Sequence, residues 1–236
     1  MPQIHKIAEL DLLYADSARV FFEAVRKVQG ERVVVAVPGG RSIVPFFNAI
    51  VMQAVDLPLA DWHRLEFFMV DERAVKITEE DSNFRLVERH LSQLVDELIL
   101  RKRQLHPYLH DEVTPHASVD GYLNELHEFG GAFDIVCLGI GEDGHVAALF
   151  PDHHSVRTAE RKYFYFEDSP KPPAARVSAS RKMIEQASVA LLFAVGDAKL
   201  DAATRMLAST GDVEHCPARI VHSIDQSHVF TNLDIA

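Results

Sequence analysis

The chain has 236 residues, of which 47% are hydrophobic and 25% charged, values typical of a soluble globular protein with a large core. A net charge of −11 argues against general affinity for nucleic acid or an anionic membrane, although a local basic cluster can still bind a small anion. The first residues lack the apolar core of a signal peptide, and the longest apolar run, Val189 to Val195, is too short to span a bilayer. Cys137 and Cys216 form no CxxC pair, which favours buried free thiols in a reducing compartment, so we expect a cytoplasmic enzyme or binding protein.

Strand-like and helix-like segments alternate along the chain. A helical pattern from Ala18 to Val28 precedes the apolar strand Val33 to Val37, and the turn at 38–42 leads into a second helix ending near Val55. The remaining predicted elements are a strand at 65–70, a helix capped by Asp81 or Ser82 and reaching Leu98, a helix near 117–128, strands at 133–138, 176–180 and 188–195, a helix at 197–207 and an edge strand at 228–233. This alternation predicts an α/β fold, with a mostly parallel sheet flanked by helices on both faces and a single domain over residues 1–236.

One segment, from Asp152 to Ala175, breaks this regularity. It follows Pro151 and contains prolines at positions 170, 172 and 173. Because a long loop inside a compact domain is often functional, we predict that it forms a lid or a wall of the binding site.

Three of the strands end in polar turns, at residues 38–42, 71–73 and 141–145. In a doubly wound sheet such turns converge at one edge, where ligands bind. In the first turn, Gly39 and Gly40 permit exposed backbone N–H groups, Ser42 adds a hydroxyl, and the next helix contributes its positive N-terminal end. This combination suits a phosphate group, although Pro-Gly-Gly is also an ordinary turn sequence.

The third turn (GEDGH, 141–145) places an imidazole and two carboxylates directly after a buried strand. Acid–base groups at this place indicate catalysis, whereas the structural alternative is a connection in which Asp143 caps a short apolar helix. The triplet at 71–73 is likewise either part of the site or a solvated run of charges. Residues 139–144 match the GxGxxG spacing, but their carboxylates would face a pyrophosphate, which disfavours dinucleotide binding.

Other chemistries find less support in the sequence. His153 and His154 are adjacent, so they do not share a face as i, i+4 metal ligands do, and no cysteine or carboxylate spacing favours zinc. There is no GxSxG nucleophile elbow. We therefore predict a site without metal or other cofactor.

Six segments of the chain are informative in combination: VPGGRS (37–42), VDERAV (70–75), DSNFRL (81–86), DIVCLGIGEDGHVAALFP (134–151), the arginine of ARVSAS (175–180) and GDAK (196–199). Taken together, they resemble the 6-phosphogluconolactonase family. Their order and spacing match across nearly the whole chain. The resemblance implies a modified Rossmann-like α/β fold, shared with glucosamine-6-phosphate deaminase and ribose-5-phosphate isomerase.

The resemblance also implies an activity, the hydrolysis of 6-phospho-D-glucono-1,5-lactone to 6-phosphogluconate in the oxidative branch of the pentose phosphate pathway. It assigns the role of general base to His145, with Asp143 and Arg73 as further catalytic residues. The substrate-binding residues that it implies are Gly39, Gly40, Arg41, Ser42, Asp71, Asn83, Arg176 and Lys199. Of these, Arg176 and Lys199 are expected to anchor the phosphate. The expected partner is a small sugar-phosphate lactone, and no binding to nucleic acid or membrane is expected. The protein could be a monomer or a homodimer.

The chain departs from the family pattern at a few positions. Arg41 follows the glycines where the family reads closer to SGGSTP, and Val146 and Ala148 stand where hydroxyl side chains are common. A related amino-sugar-phosphate isomerase or deaminase is one alternative, disfavoured because ALFP follows GEDGH in place of aromatic-Asn-Glu-Pro. A non-catalytic sugar-phosphate sensor is the other, disfavoured by the presence of His145 and by the absence of a helix-turn-helix pattern.

Overall fold

A seven-stranded sheet forms the centre of the structure, a computed structural model that describes residues 1–158 and 160–235. Its strands are β1 (Gln3–Lys6), β2 (Val33–Val37), β3 (Leu65–Met69), β5 (Leu105–His106), β6 (Ile135–Gly139), β9 (Val189–Ala194) and β10 (Gln226–Thr231). They lie in the order β1-β10-β9-β6-β2-β3-β5, and every neighbouring pair is parallel. The predicted α/β fold with a mostly parallel sheet is confirmed.

A second, antiparallel sheet lies beside the first and has the order β4-β8-β7. It consists of β4 (Asp71–Arg73), β7 (Tyr163–Phe166) and β8 (Arg176–Ala179). In its register Arg73 is opposite Arg176, so two residues distant in sequence are brought together. Because β7 lies inside the segment 152–175, the prediction that this segment is irregular is wrong for these four residues. Ala159 of that segment and Ala236, the last residue of the predicted domain, lie outside the described residues.

Seven α-helices connect the strands in the described residues. They are α1 (Leu10–Lys27), α2 (Val44–Met52), α3 (Leu59–Trp62), α4 (Asn83–Asp96), α5 (Pro115–Glu128), α6 (Arg181–Glu185) and α7 (Leu200–Leu207). Short 3-10 helices span Ala54–Asp56, Lys102–Gln104, His154–Arg157, Asp197–Lys199 and Pro217–Ser223. Of the two predicted caps of α4, Ser82 is the one that acts, because its Oγ accepts a hydrogen bond from the Arg85 N–H at 3.2 Å.

Two predicted elements differ from the structure. The short apolar helix after His145, which Asp143 would have capped in the structural alternative, is absent, since residues 146–153 contain a tight turn closed between Val146 and Leu149. The strand β10, predicted at the sheet edge, lies between β1 and β9, because the polar segment Gln3–Lys6 forms the edge instead. That short segment has no alternation of buried and exposed apolar residues, which is why the pattern did not indicate a strand.

The sheet separates two hydrophobic cores. Val34 and Ala36 of β2 face one core, which includes residues of α5, α6 and α7, whereas Val33, Val35 and Val37 face the other, which includes α1, α2 and α4. All five residues of β2 are buried, as expected for a parallel strand covered on both faces.

Two further expectations concern the cysteines and the membrane. Cys137 and Cys216 are both buried and unpaired. Within the described residues, no helix combines the length and the apolar character needed to cross a membrane.

Candidate active site

A cavity of about 420 Å³ opens where β2 and β6 end at their carboxyl termini. Ten of the eleven site residues expected from the sequence line it, and they are Gly39, Gly40, Arg41, Ser42, Asp71, Arg73, Asn83, His145, Arg176 and Lys199. The eleventh, Asp143, lies directly behind His145 and contacts its ring. The three polar turns therefore converge at one edge of the sheet, as the strand order requires.

The first turn of the cavity depends on its two glycines. A Cβ atom at Gly39 would lie 1.9 Å from Asn83 Oδ1, so only glycine leaves space for the buried Asn83 side chain. Gly40 has a φ of +88°, a conformation that side chains other than glycine rarely adopt. The chain then enters α2, whose N-cap residue Ile43 makes no side-chain cap hydrogen bond. Pro45 has no N–H, and those of Phe46 and Phe47 donate to the Ile43 carbonyl oxygen, so the groups that can meet a ligand here belong to the cavity-lining turn 39–42.

The second turn is a buried acidic pair and not a solvated run of charges. Asp71 and Glu72 on β4 are only 8% and 2% exposed. Asn83 Nδ2 donates to the Asp71 carbonyl oxygen at 2.9 Å and to its Oδ2 at 3.4 Å, which fixes the carboxylate in the cavity wall. Burial raises the pKa of Asp71, and the charges of Arg73 and Arg176 oppose that increase.

Glu72 has a structural role that the sequence did not indicate. Its carboxylate accepts backbone N–H bonds from Arg73, Asn83 and Phe84 at 2.7–2.8 Å and a bond from the Ser82 hydroxyl at 3.2 Å. It thereby binds the first turn of α4 to β4 and holds Asn83 beside Gly39. Burial raises the pKa of Glu72 to about 7, against the effect of the three N–H donors.

The third turn holds a histidine–carboxylate dyad. Asp143 Oδ1 lies 2.5 Å from His145 Nδ1 and also accepts the His145 backbone N–H at 3.2 Å. Burial alone would raise the pKa of Asp143, but the hydrogen bonds and charges of His145 and Lys171 outweigh it and hold this pKa below its usual range. In a neutral His145 ring, an ionised Asp143 favours the tautomer with the proton on Nδ1, which leaves the lone pair on Nε2. The ring also packs against Phe150, with 5.0 Å between the ring centroids.

The backbone around the dyad is closely packed. The Gly141 N–H donates to the His145 carbonyl oxygen at 2.8 Å, and a Cβ atom at Gly141 would lie 2.0 Å from His145 Nδ1. From behind, Arg205 of α7 donates to the Asp143 carbonyl oxygen at 3.1 Å, and the Ala218 N–H donates to that of Gly144 at 2.9 Å. Asp143 is therefore not a helix cap, because it orients the imidazole of its own turn.

Part of the segment 152–175 forms a wall of the cavity, which is one of the two roles, lid or wall, predicted for it. Lys171 and Pro172 line the cavity beside Arg176. The Arg176 guanidinium donates from Nε to the Pro173 carbonyl oxygen at 2.9 Å and from Nη2 to those of Pro172 and Lys171 at 2.8 and 3.3 Å. Its phosphate-anchoring role stays a prediction, since these bonds show that Arg176 first of all holds the wall in place.

Two more cations approach the cavity. Lys199, in the 3-10 helix after β9, lines it, and its Nζ lies 3.9 Å from Glu142 Oε1. Lys171, which the sequence analysis did not select, brings its Nζ within 3.2 Å of Asp143 Oδ2. The only signal for Lys171 in the sequence is its place in the proline-rich run SPKPP (169–173), which does not reveal that the run folds back onto the dyad.

The adjacent histidines meet a carboxylate from the same wall segment. The Nε2 atoms of His153 and His154 lie 3.4 and 2.8 Å from Asp168 Oδ1, and the potential ligand atoms of the three residues lie within 4.8 Å of one another. His154 Nε2 is hydrogen bonded to Asp168 Oδ1, whereas His153 Nδ1 accepts the Ser155 N–H at 3.2 Å and its buried Nε2 has no hydrogen-bond partner within the described residues. A site without metal stays a prediction.

These features define a class of protein, an α/β enzyme with a cavity surrounded by a histidine–carboxylate dyad and basic residues, an arrangement suited to a small anionic substrate. The comparisons with known proteins narrow this class. The family model of the glucosamine-6-phosphate isomerases/6-phosphogluconolactonase matches residues 8–230, and the chain belongs to this family.

Individual relatives agree with the family match. A 6-phosphogluconolactonase of Borreliella burgdorferi is 30% identical over 200 residues, covering 84% of this chain and 83% of the relative. One of Synechocystis is 28% identical over 229 residues, covering 93% and 91%. Among solved structures, the 6-phosphogluconolactonase of Thermotoga maritima matches with a TM-score of 0.81 at 23% identity, over 98% of this chain and 99% of that one, which shows a common fold.

Proposed function

We propose that the protein hydrolyses 6-phospho-D-glucono-1,5-lactone to 6-phospho-D-gluconate, the second step of the oxidative branch of the pentose phosphate pathway. The observation that supports this most directly is the Asp143–His145 dyad, which presents a ring nitrogen to a cavity lined by basic residues. The lactonase names of the relatives agree with this activity.

The reaction begins at His145. Neutral Nε2 takes a proton from water as the water oxygen attacks the lactone carbonyl carbon, while Asp143 holds the ring and stabilises the imidazolium that forms. The carbonyl π-electrons move onto the oxygen, giving a tetrahedral anion. When that anion collapses, the bond to the ring oxygen breaks and the imidazolium returns the proton to this leaving oxygen, so the products are the open-chain acid and the regenerated base.

Two charged residues of β4, Arg73 and Asp71, bind and stabilise the substrate. Arg73, half-buried at the cavity wall, donates from Nη1 to the Asp81 carbonyl oxygen at 2.7 Å and is thereby held near the dyad. It stabilises the charge on the carbonyl oxygen or binds sugar hydroxyls. Asp71, held by Asn83, accepts hydrogen bonds from the substrate hydroxyls.

The proposed phosphate-binding groups are the turn 39–42 and Lys199, which all line the cavity. The glycines of the turn permit a close approach of its backbone to the phosphate, and Lys199 adds a point charge from the segment after β9. Arg176 contributes its positive charge from the wall that it holds. Because this basic group is local, it can attract an anionic substrate despite the net charge of −11.

The same cavity and dyad would be shared by an amino-sugar-phosphate isomerase or deaminase, so the test compares both reactions. The protein is incubated with freshly generated 6-phosphogluconolactone and, separately, with glucosamine 6-phosphate. We expect accelerated loss of the lactone over its spontaneous hydrolysis and no release of ammonia. Ammonia release without lactone hydrolysis would assign the chain to the deaminase branch.

We also propose the cytoplasm as the location of the protein. The support is that Cys137 and Cys216 are buried, unpaired thiols, which is the usual state in a reducing compartment.

A further inference from the structure

The wall segment places a lysine on the catalytic dyad. Ser169 Oγ and the Lys171 N–H are hydrogen bonded at 3.2 Å, Ser169 Oγ donates to the Lys171 carbonyl oxygen at 2.8 Å, and the Ser169 N–H donates to that of Ala174 at 3.1 Å. Arg176, 6% exposed, fastens the same turn through three carbonyl oxygens. The backbone of Lys171 is therefore held at the cavity wall, within reach of the dyad for its side chain.

The two oxygens of Asp143 serve two cations. Oδ1 lies 2.5 Å from His145 Nδ1, and Oδ2 lies 3.2 Å from Lys171 Nζ. Among the described residues, these are the only two side chains within 4 Å ion-pair distance of this carboxylate. The carboxylate thus forms a bridge between the imidazole and the ammonium group.

We propose that Lys171 is a positioning residue for the reaction, and that by sharing the Asp143 carboxylate with His145 it sets the lower end of the pH range in which His145 acts as a base. The proposal rests on the proposed function. It follows from elementary electrostatics, because a carboxylate that also faces an ammonium group stabilises an imidazolium less, and the ammonium group itself repels the imidazolium.

Other charged groups surround the dyad, but none replaces this contact. They are Glu142 on the same turn, Asp71 and Arg73 on β4, Arg176 on β8, Lys199 after β9, and Arg205 on α7, which bonds the backbone of Asp143 and not its carboxylate. All of these stay in place when Lys171 alone is changed, so a single substitution isolates its effect.

The test compares Lys171→Met, Lys171→Arg and a matched control, Lys162→Met. Lys162 is a lysine beside the same hairpin with a carboxylate partner, Glu160, and a side-chain exposure of 39% against 40% for Lys171, but it does not line the cavity. The value of kcat/KM for 6-phosphogluconolactone is measured across the acid limb of the pH profile, with spontaneous hydrolysis subtracted. In parallel, the His145 ring signal is titrated by NMR.

In Lys171→Met we expect the acid limb and the His145 titration to move upward together by about 0.2–0.7 pH unit, the size expected of one partly exposed charge. The plateau of kcat/KM should change by no more than about threefold, since the base itself remains. Lys171→Arg should restore the wild-type limb, and Lys162→Met should not move it.

Two results would overturn the proposal. A higher KM at every pH with an unmoved limb would mean that Lys171 contacts the substrate directly. An unchanged profile and an unchanged ring titration would mean that Lys171 does not act on the dyad. The NMR titration does not require turnover. If the wild-type protein had no lactonase activity, the proposed function would be contradicted, and the effect of Lys171 on His145 would still be measured by the titration.

Discussion

Replacing Gly141 by alanine should displace His145, the proposed base, without removing any functional group. The added Cβ atom would lie 2.0 Å from His145 Nδ1, 2.1 Å from its Cε1 and 2.6 Å from Asp143 Oδ1. Ordinary contact begins at 3.4 Å, so the ring must move by about 1.4 Å, and a misplacement of about 1 Å typically costs 10²-fold in rate. We therefore expect kcat/KM for 6-phosphogluconolactone to decrease by about 10²-fold or more, with the protein still folded.

Gly121→Ala provides the matched control. Gly121 lies in α5, where an added Cβ atom meets nothing within 4 Å, so this substitution should leave the activity unchanged and stabilise the protein by about 0.5–1 kcal/mol. Activity of both variants is measured with freshly generated lactone, and folding is checked by circular dichroism and thermal unfolding. A folded Gly141→Ala variant with near wild-type kcat/KM would refute the assignment of His145 as the base.

Three further predictions concern the phosphate, metals and stability. Lys199→Met should lower kcat/KM for the 6-phospholactone by roughly 10- to 150-fold, because it removes one charge-assisted hydrogen bond to the phosphate. The same variant should have little effect on unphosphorylated gluconolactone. Equal losses on both substrates would mean that Lys199 does not bind the phosphate. Dialysis against a strong chelator should leave the rate unchanged, whereas a loss restored by one divalent ion would overturn a metal-free mechanism. Burial disfavours protonation of His106, but its bonds with Glu125 and Glu66, at 2.6 and 3.0 Å, outweigh burial and raise its pKa. The stability that protonated His106 contributes is present below its pKa in the unfolded chain, about 6.5, and is lost as the pH rises through its higher pKa in the folded protein. The free energy of unfolding of wild type and of His106→Gln is measured with denaturant. The difference between the two should decrease from about pH 6 to about pH 9. A difference that stays constant over that range would contradict the reasoning.

The central strands of the sheet and the convergence of the three turns could be predicted from sequence because they depend on local signals. Val33–Val37 and Val189–Ala194 are continuous apolar runs, a pattern specific to strands buried on both faces. The order of strands in an open parallel sheet then brings the turns at 38–42 and 141–145 to the same edge. The residues of the candidate cavity followed from this arrangement and from the family resemblance.

The antiparallel sheet could not be predicted in the same way. The strand β4 has three charged residues, Asp71–Arg73, and the burial of the first two comes from pairing with β8 and from the backbone donors at the start of α4. A charge triplet carries no periodicity that would indicate such burial. The contact of Lys171 with Asp143 depends on the same sheet, because β7 and β8 bring the connecting turn back to the dyad.

The same limit applies to Arg176. The family resemblance implied that it binds the phosphate, but the carbonyl oxygens of 171–173 that it holds are backbone atoms, which no sequence pattern indicates. Hydrogen bonds between a side chain and the backbone of a folded loop are determined by tertiary structure, so the sequence alone does not indicate them.

The most direct test of the central claim compares wild type with His145→Ala in the hydrolysis of freshly generated 6-phosphogluconolactone, each corrected for spontaneous hydrolysis. His145 is the one group in the cavity that the dyad geometry equips as a base. We predict that wild-type protein accelerates the reaction and that the folded variant loses on the order of 10²- to 10⁴-fold in kcat, the usual contribution of a positioned acid–base group. No acceleration by well-folded wild type, or an undiminished rate in the variant, would contradict the account.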